Sequence, residues 1–227
     1  MSQSKGVNST LVTQIASLAV GAGLLAGCTT WAADYQGSGS VTAMKREVPA
    51  FHAVHIHGSA NVEASVGPNQ GLEIMWDDNL LEHVRTQVED GKLKISLDEG
   101  SFSSKHTLVV KLTAASLDTV ALHGSGDARV TGVAGKHFEA AIHGSGSVVG
   151  SGAAESVSVS INGSGDVDLR EIKARSAQVE INGSGDVHVF ASEAVDAEIR
   201  GSGDVRYYGD PKDVQTNVAG SGDIRKG

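Results

Sequence analysis

The chain has 227 residues, 29 of them Gly and only 3 Pro, with 4% aromatic residues. Val, Ala and Ser are plentiful, which suits short strands joined by tight turns, and the length is enough to bury a continuous core without disulfides or a structural metal. The formal net charge of −9, without any Lys/Arg cluster, argues against nucleic acid as a partner, because phosphate binding needs a basic stripe.

Residues 15–27, "IASLAVGAGLLAG", form an apolar run too short to span a bilayer and preceded by Lys5, the pattern of a secretory leader. The run ends in Leu25-Ala26-Gly27-Cys28, which resembles the lipobox of bacterial lipoproteins. That resemblance implies a signal peptide over 1–27, cleavage before Cys28, and acylation of its thiol and new amino group, with the lipid as the membrane anchor. An ordinary leader cut near Ala33 is the alternative. Thr29 stands where an Asp would resemble the inner-membrane retention signal of enteric bacteria, so the expectation is an exported outer-membrane lipoprotein of the cell envelope, periplasmic or surface-exposed. Loss of the leader removes Lys5, leaving 17 basic and 27 acidic residues, a net of −10.

Residues 28–47 look like a tether running into a first strand. Residues 48–118 form a less regular N-terminal β region or cap, with a helical turn expected near Asn79 to Val84 and a strand pair around Asp90-Gly91. Its Asp77-Asp78 pair beside Trp76 is the one irregular acidic spot, and suits a helix start better than an acid/base pair.

From 119 to 227 a glycine-serine-glycine turn recurs, its first glycine at Gly124, Gly144, Gly163, Gly183, Gly201 and Gly220, in steps of 20, 19, 20, 18 and 19. Just before it stand Leu122, Ile142, Ile161, Ile181, Ile199 and Val218; after it come Ala128, Val148, Val167, Val187, Val205 and Ile224. Polar residues alternate with these, so each arm is a strand with one apolar face. A repeat of this size cannot bury its apolar edge alone, whereas stacking like on like fuses the columns into one core. The fold class expected is all-β, a parallel β-helix or solenoid with right-handed coiling. A sandwich of antiparallel hairpins, with each GSG as a hairpin loop, is the competing arrangement.

Two outward columns carry candidate chemistry. Asp127, Asp166, Asp186, Asp204 and Asp223 follow the turn, where a carboxylate can accept backbone amides freed by the corner. "GSGDV" also resembles part of the glycine-rich nonapeptide of RTX solenoids, which implies calcium; yet each copy here offers one carboxylate, and most of the six or more oxygens would have to come from elsewhere. Immediately before the glycine stand His57, His123 and His143, then Asn162, Asn182, Arg200 and Ala219, with His55 on the same face as His57. Such histidines are metal candidates, with Asp166 and Asp186, although simple hydrogen bonding along the ladder accounts for them too. No cofactor is expected.

The copies at 161–167 and 181–187, "IRGSGDVRYYGDP" at 199–211, "FHAVHIHG" at 51–58 and "GKLKISL" at 91–97 resemble the head GIN domain of auto-transporter adhesins, over roughly residues 48–226. The resemblance implies a β-helical fold, secretion or lipid anchoring, and an adhesive or surface role. With no barrel or stalk before Gly227, the expectation is a head, not an auto-transporter by itself. The function expected is therefore a non-enzymatic, lipid-anchored envelope protein whose repetitive surface binds an envelope protein or glycan. A calcium- or metal-binding RTX-like module and a carbohydrate-active β-helix enzyme are the alternatives.

Overall fold

A computed structural model describes residues 33–227, which make one compact unit with its own core. The leader and the lipidation candidate Cys28 lie outside the described residues. Every strand of the repeat block pairs in parallel with its equivalent in the next repeat. Gly58 stands opposite Gly124, and the register continues Gly124–Gly144, Gly144–Gly163, Gly163–Gly183, Gly183–Gly201 and Gly201–Gly220. Beyond the corner a second parallel ladder aligns Val62, Ala128, Val148, Val167, Val187, Val205 and Ile224. The molecule is a β-solenoid, and each GSG segment turns the chain from one sheet to the other instead of closing a hairpin.

The core follows from that superposition. Leu122, Ile142, Ile161, Ile181 and Ile199 are buried in one column, and Ala128, Val148, Val167, Val187 and Val205 in the facing one. Burying each Ile or Leu contributes about 1.5–3 kcal/mol. Their last-coil equivalents are different: Val218 is 41% exposed and Ile224 half-buried, because among the described residues no coil packs beyond them. Two strands, Ala128–Gly144 and Ser147–Gly163, run through a whole coil, and their shared ladder shifts register between Val130 and Val133, where Gly132 has φ +75°.

Spatial order departs from chain order in the N-terminal region. The strand Lys92–Leu97 lies parallel to Ala53–Gly58, and Val109–Ala114 lies parallel to Asn61–Val66, on the side away from the repeats. The first coil in sequence is thus sandwiched between later segments. Beyond that lowest coil the pairing turns antiparallel: Gly71–Asp77 against Val109–Ala114, Val84–Glu89 against Lys92–Leu97 through the Asp90-Gly91 turn, and Val41–Lys45 against Gly71–Asp77. These returning strands cover the parallel edges that stacking would leave open at this end. The helical turn near Asn79–Val84 is a 3-10 turn, Leu81–His83. Within the stretch 28–47, Tyr35–Gln36 and Val41–Lys45 are strands, the former pairing with Phe102–Ser103.

Candidate binding faces and the corner

At the corner, chain packs on chain. Gly183 has φ +148°, a conformation L side chains rarely adopt, and a Cβ added there would lie 1.9 Å from the Gly163 carbonyl oxygen. The second glycine is equally confined: on Gly185 a Cβ would meet the Gly165 oxygen at 1.8 Å. From Ser145 onward each corner serine amide donates to the carbonyl of the preceding corner, Ser184 to Gly163 at 2.9 Å and Ser202 to Gly183 at 2.8 Å.

The aspartates form a ladder of their own. Asp166 accepts the amide of Asp186 at 2.9 Å, Asp186 that of Asp204 at 3.0 Å, and Asp204 that of Asp223 at 2.9 Å. Asn61 begins the series by accepting the Asp127 amide at 3.1 Å, and Asp127 accepts both the amide and the hydroxyl of Ser147. Each carboxylate therefore ties its coil to the next. Among the described residues, no group of three or more His, Cys, Asp or Glu side chains is arranged to hold a metal ion.

The histidines form a row. His57 and His123 stack at 4.5 Å between ring centroids, and His123 and His143 at 4.8 Å, with His55 at 5.9 Å from His123. Near-parallel stacking at the inter-coil spacing places the rings face to face instead of aiming their nitrogens at one point. Partial burial pushes the imidazoles of His55, His57 and His123 below their usual range. Neighbouring charges add to it: His123 and Lys92 at His55, Lys94 at His57, and His57 and His143 at His123. Asn162 and Asn182 continue the row, bonded at 3.3 Å, and Arg200 ends its polar part, paired with Glu180 at 2.7 Å and Glu198 at 2.8 Å. Six inter-coil steps of about 4.8 Å from Gly58 to Gly220 carry this strip roughly 29 Å along the solenoid.

Two further features stand apart from these columns, and only the first went unmarked in the sequence. On the second sheet, Phe190 and Tyr208 share one outward column with Arg170, each seven residues after a first corner glycine. Lys173 lies 4.3 Å from the Phe190 ring centre, and Arg170 lies 5.8 Å from that of Tyr208. That common offset was the available signal. The second is Asp77, whose carboxylate is buried and accepts the Gly39 amide at 2.7 Å, the Ser104 hydroxyl, and His106 Nδ1–H at 3.4 Å. The Ser104 hydroxyl, with the Gly39 amide and His106, holds this carboxyl below the usual range against the opposing effect of burial. Asp78 turns elsewhere, accepting the Ser38 hydroxyl at 2.5 Å. The two acids thus fasten residues 37–40 onto the domain, and neither initiates an α-helix.

A family model described as "Putative auto-transporter adhesin, head GIN domain" matches residues 50–211. The chain belongs to this family. Among solved structures, a "putative adhesin" from Bacteroides fragilis is 21% identical, with 84% of this chain and 99% of that one covered and a TM-score of 0.67. A "putative lipid binding protein" from Parabacteroides distasonis is 24% identical over 85% of this chain and 98% of that one, with a TM-score of 0.56. A "putative adhesin" from Parabacteroides merdae is 19% identical over 85% and 98%, with a TM-score of 0.50. At these identities the likeness is one of fold. No curated protein matches the chain.

Proposed function

We propose that this head GIN protein is a non-enzymatic binding module of the outer envelope, anchored by lipid at Cys28, which presents the strip from His57 to Arg200 to a glycan or envelope protein. The observation that carries the reading is the strip itself: outward imidazole, amide and guanidinium groups at one site per coil, on a scaffold whose corners hold them at fixed spacing. Repeated polar groups suit many weak contacts made in parallel, so that avidity accumulates along the axis. The adhesin family supports it. So does the state of the irregular acids, since Asp77 is occupied by three donors and Asp78 by Ser38.

Glycan and protein arrays probed with the Ala33–Gly227 unit, with and without EDTA, test the binding role. A hit that is lost in a folded His123→Ala, Asn162→Ala double variant supports the strip; a hit the variant retains moves the binding face elsewhere. The anchor has its own test, in which Cys28→Ala releases the protein from membranes or blocks its processing. Unchanged detergent partition of that variant would refute lipidation.

A further inference from the structure

The corner stack ends at Gly58. Every higher first glycine has a carbonyl where its Cβ would be, but among the described residues nothing lies within 4 Å of a Cβ built on Gly58. The coil beneath has no corner there: after Leu97 the chain leaves the solenoid and rejoins it at Leu108, whose carbonyl accepts the Asn61 amide. This also accounts for Ala60, which replaces the second glycine of the motif, since there is no corner carbonyl below for its methyl group to strike. The missing corner leaves a cavity of about 380 Å³, within the range of small-molecule sites.

The walls of this cavity are apolar and partly aromatic, with Trp76, Leu97, Phe102 and Leu108 on one side and Ala60 above. Trp76 is fixed by its indole N–H, which donates to the His106 carbonyl at 2.9 Å, and by Phe102 at 5.7 Å. The polar lining residues are His57, Ser59, Ser96, Ser104, His106 and Thr107, and the exposed ones among them, Ser59, His106 and Thr107, mark the mouth. Lys94 lies outside this lining: it stands opposite His55 on the outer face and shares an adjoining hollow with His57, Lys92, Glu89 and Asp90, which brings its positive charge to the His57 edge of the mouth. An apolar chamber with hydrogen-bond donors and a cation at its entrance is complementary to a hydrocarbon tail bearing an anionic head.

We propose that this cavity binds a single-chain amphiphile with a carboxylate head, its tail against Trp76 and Phe102 and its head at His57, Ser59 and Lys94. The site is separate from the outer strip and does not depend on the adhesive reading. In the Ala33–Gly227 unit, Trp76 is the only tryptophan, because the other of the two is Trp31. Its emission is the readout.

Titration with decanoate below its micelle-forming range gives a saturable change in Trp76 emission. Lys94→Glu weakens decanoate binding about fivefold, the scale of one exposed charge pair, and leaves decanol binding unchanged. Ala60→Leu fills the chamber and abolishes both; Thr107→Phe at the exposed rim does the same should Ala60→Leu fail to fold. Absence of a saturable response to decanoate overturns the proposal, as does equal decanoate affinity in Lys94→Glu. A response to phosphatidylglycerol vesicles with none to decanoate would replace the single-chain ligand by a bilayer lipid.

Discussion

Gly183→Ala tests the corner most directly, because Gly58→Ala is a matched control. Both positions have positive φ, +148° and +116°, so an alanine at either is strained by about 1–3 kcal/mol. Only at Gly183 does the new methyl group also meet a carbonyl, at 1.9 Å. That carbonyl belongs to Gly163, which is itself held against Gly144, so the contact is relieved only by spreading the coils. Spreading weakens the Ser184–Gly163 and Ser202–Gly183 hydrogen bonds, each contributing about 1 kcal/mol net. The total for Gly183→Ala is about 3–5 kcal/mol, against about 1–3 kcal/mol for Gly58→Ala. For a domain of this size that corresponds to a fall in Tm of about 8–15 °C at Gly183. Urea unfolding of the two variants and wild type, followed by far-ultraviolet circular dichroism, measures the difference. Equal losses would show that strain alone matters and that coil-on-coil contact at the corner has been misjudged.

Asp186→Asn keeps an acceptor for the Asp204 amide and should cost less than about 0.5 kcal/mol, whereas Asp186→Ala removes it and costs about 1 kcal/mol. If the aspartate ladder acts through these amides, the wild-type Tm is the same in millimolar Ca²⁺ and in EDTA; a calcium-dependent rise abolished by Asp166→Asn and Asp186→Asn would establish an ion site instead. Ile181→Asp places an unpaired charge in the buried column, costs at least about 3 kcal/mol, and should leave the repeat block unfolded by circular dichroism; a folded, soluble variant would mean the faces are reversed. His55, His57 and His123 titrate below their ordinary 6.5 when folded, so the unfolded chain binds more protons as pH falls. Stability is complete above that value and declines as pH drops through it, and His123→Asn should flatten the decline in a Tm–pH series.

The repeat block was legible because stacking imposes one requirement on every copy. Ile142, Ile161, Ile181 and Ile199 must coincide, and the glycines beside them leave no room for alternatives, so period and apolar columns together give the parallel solenoid. The histidine row was legible on the same basis, since residues at one offset from the glycine become neighbours. The coil order was not legible: nothing local marks Lys92–Leu97 as lying beneath Ala53–Gly58, because parallel pairing between distant segments leaves only the alternation common to every strand. The burial of Asp77 was hidden for a related reason, its donors coming from Gly39, Ser104 and His106. The aspartate ladder was half visible. A carboxylate at a corner implies an amide partner, but the partner is on the next coil, and that depends on the stack.

These constraints divide the surface into parts that can vary and parts that cannot. Inward columns and corners are fixed by contact with identical neighbours, so a substitution in one copy is opposed by the copies above and below it. Outward columns have no such obligation, and there the copies diverge: His57, His123 and His143 give way to Asn162, Asn182 and Arg200, while Arg170 is followed by Phe190 and Tyr208. Chemical identity on this molecule is therefore written along the solenoid axis, one residue per coil, on a scaffold of constant spacing. The first corner is the exception that follows from the same rule. Where Gly58 and Ala60 lose the neighbour beneath them, the contact that bars a side chain is gone and only the positive φ of Gly58 still disfavours one; the chain makes its excursion through residues 98–107, and the apolar chamber described above opens at the end of the corner stack.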